Sequence, residues 1–247
     1  MNVPWEGFCR VARAVDNTGM TPERFRTFKA VLARRQPDLT VVADDVHKPH
    51  NIAALMRTCD AVGVFEIHAV GPRSSFKRPR GISGGTAPRV GVQAWRQLTP
   101  AVESLKANGF QIVAAHLSPT ADDYRAVDYT RPTALLLGSE LRGVSAEGAA
   151  LADRHAILPM RGLAASLNVS VAAALFLYEA ARQREAAGLY ADSRLSPEQF
   201  DRTLFEWCHP AIAARCRTRG VPYPPMTADG DLAANPFPAP PGQAPGT

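Results

Sequence analysis

The sequence predicts an α/β protein in which helices cover both faces of a parallel sheet. Its 247 residues are 46% hydrophobic, which is enough for a sizeable core. Apolar runs of strand length alternate with stretches of helical periodicity, and this alternation is typical of a buried parallel sheet. The predicted strands are 39–43, 65–70, 111–115, 133–137 and 156–158, and helices are predicted over 51–62, 100–108 and 145–152.

We expect the predicted strands and helices to form a catalytic domain over residues 39–190. Segments of different composition flank this domain on both sides. Residues 1–20 are predicted to be an irregular extension, and the Thr-Pro-Glu start at position 21 predicts an N-terminal helix over 21–38. Residues 191–220 are predicted to be a C-terminal helical extension with one amphipathic helix region over 197–219. Residues 221–247 hold eight prolines and no lysine or arginine, which predicts an extended, partly disordered tail.

A long helix is expected from residue 167 to about residue 187. Its first half is apolar on every side, whereas its second half carries Arg182, Arg184 and Glu185. We therefore expect this helix to begin buried and to end in contact with solvent.

Several classes of protein and site are disfavoured by what the sequence lacks. No apolar run reaches the roughly 18 residues of a membrane-spanning helix, and Glu6 and Arg10 interrupt any apolar signal segment. Four scattered cysteines without a CxxC pair predict free thiols in a reducing cytosol, and no spacing of potential ligands predicts a metal site. The glycine fingerprints of dinucleotide-binding and P-loop proteins are absent, as are GxSxG and HExxH. The net charge of +5 points weakly to a polyanionic partner.

Three segments place polar residues where predicted strands end. In the first, Asn51 and Arg57 lie on a helix with an apolar stripe; the alternative is a helix-capping asparagine and a solvated arginine. In the second, Gly138 and Glu140 follow a buried strand; the alternative is a tight turn with a surface glutamate.

In the third segment a glycine-bearing loop leads to Ser166, Asn168 and Ser170 at the start of an apolar helix. The alternative is that Ser166 is only a helix cap, but an amide buried at Asn168 needs partners, which favours a function. Ligands gather at the carboxyl ends of strands in open parallel sheets, so one pocket that suits a nucleoside is expected here.

Together and in this order, the three segments resemble the three motifs of the SPOUT-class RNA 2′-O-ribose methyltransferases, the SpoU/TrmH family, and most closely its tRNA-modifying subgroup. The motifs correspond to residues 51–63, 136–143 and 158–172. The stretches 34–40, 128–133 and 220–224 also resemble that subgroup. The likeness extends from about residue 20 to about residue 231.

The resemblance implies a C-terminal trefoil knot, S-adenosyl-L-methionine as methyl donor, and transfer to the 2′-hydroxyl of guanosine-18 in the D-loop of tRNA. It implies a homodimer in which catalytic groups of one subunit lie near the cofactor of the other. The implied catalytic residues are Arg57, Asn51, Glu140, Ser166 and Asn168. The implied cofactor-binding residues are Leu117, Gly138, Ile157, Leu158, Met160 and Leu167.

Arg57 is expected to stabilise the developing alkoxide and to bind the neighbouring phosphate, because a guanidinium is effectively always protonated. The basic segment 71–90 favours RNA contact through Arg73, Lys77, Arg78 and Arg80. By resemblance, tRNA-contacting positions correspond to Arg24, Arg35, Arg182 and Arg184, with His50 and Lys106 as further candidates. The segment departs from the family at Arg89, where an aromatic residue is usual.

Two other functions stay open at this point. The first is 2′-O-methylation of another tRNA position or of ribosomal RNA, although residues 1–38 are short for the RNA-binding domain that ribosomal enzymes often carry. The second is a non-catalytic RNA-binding protein on the same fold, which predicts loss of the motif residues.

Overall fold

The computed structural model describes residues 20–71, 89–234 and 237. Residues 34–194 form one compact unit, and the described residues of 20–33 and 195–247 form a second. Among the described residues, none of the helices combines the length and apolar character that crossing a membrane requires.

The first unit is built on a sheet of seven parallel strands. The predicted α/β class is confirmed, and five strands lie where the apolar runs predicted them. The strands are β1 (Leu39–Asp44), β2 (Glu66–Val70), β3 (Gly91–Trp95), β4 (Gln111–Ala115), β5 (Asp122–Asp123), β6 (Thr133–Leu137) and β7 (Arg154–Ile157). Their order across the sheet is β3-β2-β1-β6-β4-β7-β5, and every pairing is parallel. The carboxyl ends of β1, β6, β4 and β7 therefore lie side by side.

Helices cover both faces of this sheet. Across both units, the α-helices of the described residues are α1 (Pro22–Ala33), α2 (Pro49–Ala61), α3 (Leu98–Ala107), α4 (Ala146–Leu151), α5 (Val169–Ala186), α6 (Pro197–Cys208) and α7 (Pro210–Arg219). The α2 and α5 helices pack against each other and share one core with the sheet, whereas α3 and α4 share the other. Burial on both faces explains why the central strands are apolar without alternation.

The structure differs from the prediction at two helix boundaries and at one strand. Helix α1 ends at Ala33 instead of residue 38, because Pro37 disfavours helical backbone at Gln36, which bridges to Val64. One helix region was predicted over 197–219, but Pro210 starts a separate α7. Strand β3 was missed because it is half exposed at the sheet edge and lacks a continuous apolar run.

The expectation for the long helix, α5, was only partly right, because Arg182 and Glu185 near its end are exposed as predicted. Its first half exposes Val171, Leu175 and Tyr178 along one side. In its second half Arg184 is completely buried. The first half is apolar all round, but only its inner side is covered by the described part of the chain.

The second unit packs α1, α6 and α7 around aromatic side chains. Phe28 meets Trp207 edge-on with ring centroids 6.0 Å apart, and Phe205 stacks on Tyr223 at 4.6 Å. Residues 221–234 follow α7 without helix or strand, apart from one bridge between Met226 and Leu232. Of the predicted disordered tail, only these residues and residue 237 fall within the described part of the chain.

Candidate active site

A cavity of about 750 Å³ opens at the carboxyl ends of β4, β6 and β7. It is lined by all six residues that the resemblance implied for the cofactor: Leu117, Gly138, Ile157, Leu158, Met160 and Leu167. Three of the five implied catalytic residues, Glu140, Ser166 and Asn168, line it as well. The strand order explains this convergence, because β6, β4 and β7 are immediate neighbours in the sheet.

Gly138 shapes one wall of the cavity by allowing the following loop to fold back on it. A Cβ at this position would lie 1.9 Å from the carbonyl oxygen of Gly143, so no other residue fits. Gly143 itself has a φ of +65°, and its N–H donates to the carbonyl of Ser139 over 2.9 Å. The close approach that this glycine permits is therefore to its own chain.

Hydrogen bonds join the three motifs directly. The Asn51 Nδ2 group donates to Glu140 Oε1 over 2.5 Å, and Asn168 Nδ2 donates to Asn51 Oδ1 over 3.1 Å. Asn168 Oδ1 accepts from the backbone N–H of Ser170 over 2.9 Å and from its hydroxyl over 2.7 Å. Residues 117 positions apart in sequence are thus held in one polar network.

Glu140 is held as a carboxylate in this network. Burial favours the neutral acid, but the hydrogen bonds from Asn51 and from the backbone, with the charges of Lys48 and His47, outweigh it and lower the pKa of Glu140. Its second oxygen, Oε2, is buried and has no hydrogen-bond partner among the described residues. That oxygen is a buried acceptor whose hydrogen-bonding capacity is unmet within the described part of the chain.

The capping alternatives for Asn51 and Ser166 were both wrong. Helix α2 begins at Pro49 with Lys48 as its N-cap, so Asn51 lies inside the helix and is buried. Helix α5 is capped by Asn168, whose side chain accepts from the Ser170 N–H, rather than by Ser166.

Arg57 is not brought together with the other four implied catalytic residues. It lies on the exposed side of α2, six residues beyond Asn51, and does not line the cavity. No hydrogen bond or salt bridge joins its guanidinium to another residue in the described part of the chain. A free guanidinium on an exposed helix face is available to a ligand or to another subunit.

Two of the implied RNA contacts, Arg35 and Arg184, were wrong for this structure because both side chains are buried. The five N–H groups of Arg184 all donate within the chain: to the Tyr129 carbonyl, the Gln36 side chain, both the carboxylate and carbonyl of Asp38, and the Arg131 carbonyl.

Arg35 donates to the carbonyls of Asp60 and Val64 and pairs with the Asp60 carboxylate. Both arginines therefore connect segments of the protein and have no side-chain surface left for RNA.

The other predicted RNA contacts differ in accessibility. His50, Lys106 and Arg182 are exposed; Lys106 pairs with Asp153 at 2.7 Å and Arg182 with Glu179 at 2.7 Å. Arg24 is half-buried, and its guanidinium carbon lies 5.2 Å from the centre of the Phe28 ring. The remaining predicted contacts, Arg73, Lys77, Arg78 and Arg80, lie outside the described residues.

Sequence reasoning missed three polar residues that line the cavity, Lys48, His116 and Ser139. Lys48 follows β1 and His116 follows β4, so position after a strand end was the available signal. The imidazole of His116 lies edge-on to that of His155, with ring centroids 5.3 Å apart. In the described ranges, no group of three or more potential ligands is arranged to hold a metal ion.

Comparison with known proteins identifies the family to which this arrangement belongs. The profile of the SpoU rRNA Methylase family matches residues 38–178, and that of the SpoU, rRNA methylase, C-terminal family matches residues 182–235. The chain is a member of the SpoU rRNA Methylase family. The first profile covers the sheet, the cavity and the start of α5, whereas the second covers α6 and α7.

Relatives of known name extend this assignment. The tRNA (guanosine(18)-2′-O)-methyltransferase of Escherichia coli (strain K12) is 47% identical over 218 residues, which are 87% of this chain and 95% of that protein.

The solved A. aeolicus TrmH/SpoU tRNA modifying enzyme superposes with a TM-score of 0.68 at 38% identity, covering 77% of this chain and 97% of its own. The SpoU methyltransferase AviRb from Streptomyces viridochromogenes, solved in complex with the cofactor AdoMet, has a TM-score of 0.51 at 27% identity and covers 62% of each chain.

Proposed function

We propose that this protein transfers a methyl group from S-adenosyl-L-methionine to the ribose 2′-hydroxyl of guanosine-18 in tRNA. The observation that carries the proposal is the 47% identity to a curated enzyme of that activity over nearly all of that enzyme. The joining of Asn51, Glu140 and Asn168 around one cavity supports it, because a decayed, non-catalytic relative would not need to keep this network.

The residues around the cavity fit S-adenosyl-L-methionine. Leu117, Leu158, Met160 and Leu167 offer apolar surface to a purine, and Glu140 brings a carboxylate to the wall of the cavity that can accept from a ligand hydroxyl or ammonium group. The cofactor supplies the transferable methyl group as an electrophile. The cofactor complex of AviRb supports the same use of this fold.

The chain's own contribution is to position and charge-stabilise the acceptor oxygen. Holding the ribose oxygen in line with the methyl carbon removes several kcal/mol of the barrier that free encounter would impose. Arg57 stabilises the oxygen as its proton leaves and binds a neighbouring phosphate with its second edge. The Asn51, Glu140 and Asn168 network keeps the loops in the geometry that this alignment needs.

We infer that the active form is a homodimer, because one chain does not bring Arg57 to the cavity. Helices α2 and α5 pack side by side, and α5 exposes Val171, Leu175 and Tyr178 at spacings of four and three residues. Exposed apolar residues on one side of a helix mark an interface. A second copy seated there would supply Arg57 to the first copy's cavity.

Further features of the proposal follow from its substrate. We place the activity in the cytoplasm, where tRNA is processed. The exposed Arg182, Lys106 and His50 are proposed to contact tRNA phosphates. The trefoil knot that the family resemblance implies remains a prediction.

The test is transfer of labelled methyl from S-adenosyl-L-methionine to unmodified tRNA, followed by mapping of the modified nucleotide. A matched tRNA with 2′-deoxyguanosine at position 18 lacks only the acceptor oxygen. We expect label on guanosine-18 of the first tRNA and none on the second. Label at another ribose would favour a different RNA position, and no label at all would favour a non-catalytic RNA-binding protein.

A further inference from the structure

The polar network of the cavity has a fixed direction. At one end stands the backbone N–H of Ser170, which can only donate; at the other stands the Glu140 carboxylate, which can only accept. Asn168 must therefore present its oxygen to Ser170 and its amino group to Asn51. Asn51 must in turn present its oxygen to Asn168 and its amino group to Glu140.

Ser170 makes a second contribution to this direction through its side chain. Its hydroxyl donates to Asn168 Oδ1 over 2.7 Å, in addition to the backbone bond of 2.9 Å. The backbone bond is an ordinary N-cap of α5 and exists for any residue at position 170. The hydroxyl bond needs a side-chain donor, so a substitution can remove it and leave the N-cap intact.

We propose that the Ser170 hydroxyl is a positioning group for the methyl-transfer site. It locks the amide of Asn168, and through Asn51 it holds the Glu140 side chain in place at the wall of the cavity. The inference rests on the proposed function, since it assigns a role to the wall of that same site. Ser170 does not line the cavity, so it acts only through Asn168 and Asn51.

The electrostatic consequence falls on Glu140. Among its described neighbours, the groups that favour its ionised form are Asn51, its backbone hydrogen bond, Lys48 and His47. Without the hydroxyl, the Asn168 amide oxygen is held by one bond instead of two, so the amide that donates to Asn51 is less firmly held. The hydrogen bond from Asn51 to Glu140 then weakens, and the pKa of Glu140 rises.

The experiment compares Ser170→Ala, which keeps the N-cap but removes the hydroxyl, with Ser170→Thr, which keeps both. Ser193→Ala, at an exposed serine remote in sequence from the network, is the matched control. The carboxyl ¹³C signal of Glu140, assigned by its absence in Glu140→Gln, is titrated in each purified full-length protein. The pH profile of kcat/KM for unmodified tRNA and the affinity for S-adenosyl-L-methionine are measured in parallel.

For Ser170→Ala we expect the Glu140 titration and the acid limb of kcat/KM to move to higher pH. We also expect kcat to fall about tenfold with little change in KM, as for loss of a hydrogen bond that orders a charged group. Ser170→Thr should restore both, and Ser193→Ala should match the wild type. A wild-type Glu140 titration in Ser170→Ala, or a threonine variant no better than alanine, would overturn the proposal. The titration of Glu140 needs no substrate. If the wild-type protein were inactive on tRNA, the proposed function would be rejected, but the effect of Ser170 on Glu140 could still be measured.

Discussion

Two regions of the first unit each contain an arginine that the sequence analysis placed near RNA. The two arginines differ in burial and in hydrogen bonding. At the inner side of α5, Arg184 is buried and donates five hydrogen bonds to its own chain. On the outer side of α2, Arg57 is exposed and bonds to no other described residue. The arginine of the inner region is satisfied within one chain, whereas that of the outer region is free to bind something else. Substitutions in the inner region should therefore change stability, and substitutions on the outer surface should change activity or binding.

The largest effect is expected in the inner region. Arg184→Met breaks a buried ion pair with Asp38, which keeps only Arg194 as a charged partner among the described residues. It also removes the donor to the Tyr129 carbonyl and to the Gln36 side chain. We expect the free energy of unfolding to fall by about 3–5 kcal/mol. Urea unfolding measures this. Arg182→Met, at an exposed neighbour, is the matched control and should change stability by no more than about 0.5 kcal/mol. Equal stability of the two variants would contradict the structural role of Arg184.

In the outer region, Arg57→Lys keeps the charge but loses the planar pair of donors. We expect the single-turnover rate of methyl transfer to fall about 100-fold, because one stabilising donor is lost from the transition state. Cofactor affinity and the free energy of unfolding should stay near wild type, as measured by calorimetry and urea unfolding. Unchanged turnover would reject any role for Arg57 in the chemical step.

The exposed side of α5 should respond to charge as an interface does. Leu175→Asp places a carboxylate in the apolar stripe, and we expect the dimer to dissociate at micromolar concentration, with methyl transfer reduced about tenfold or more. Sedimentation velocity measures the oligomeric state. Ala191→Asp, at an exposed position outside the stripe, is the control and should leave both unchanged. A fully active monomer would contradict the dimer proposal.

The smallest effect is expected at the RNA surface. Arg182→Ala should weaken tRNA binding several-fold and lower the slope of log affinity against log salt by about one. Arg125→Ala is a matched control, since that arginine is also exposed and paired with an acid. The same loss in both variants would show a general effect of net charge instead of a contact at Arg182.

Features that depend on local sequence were predicted well, and features that depend on distant parts of the chain were not. The strands and the convergence of the three loops depend on apolar runs and on parallel topology, which local sequence records well. The burial of Arg184 was not predictable, because it depends on acceptors contributed from positions near 36–38 and 129–131. The exposed stripe of α5 was misread as buried because an apolar run in the sequence does not show which of its side chains the rest of the chain covers.

The most direct test of the account mixes two variants that should each be inactive, Arg57→Ala and Asn168→Ala. If Arg57 serves the partner's cavity, a mixed dimer has one site with an intact Arg57 and an intact Asn168. Random exchange of equal amounts makes about half of the dimers mixed, so about a quarter of wild-type methyl transfer should return. No activity above that of the separate variants, with subunit exchange verified by mass, would show that Arg57 acts on its own chain and would contradict the account.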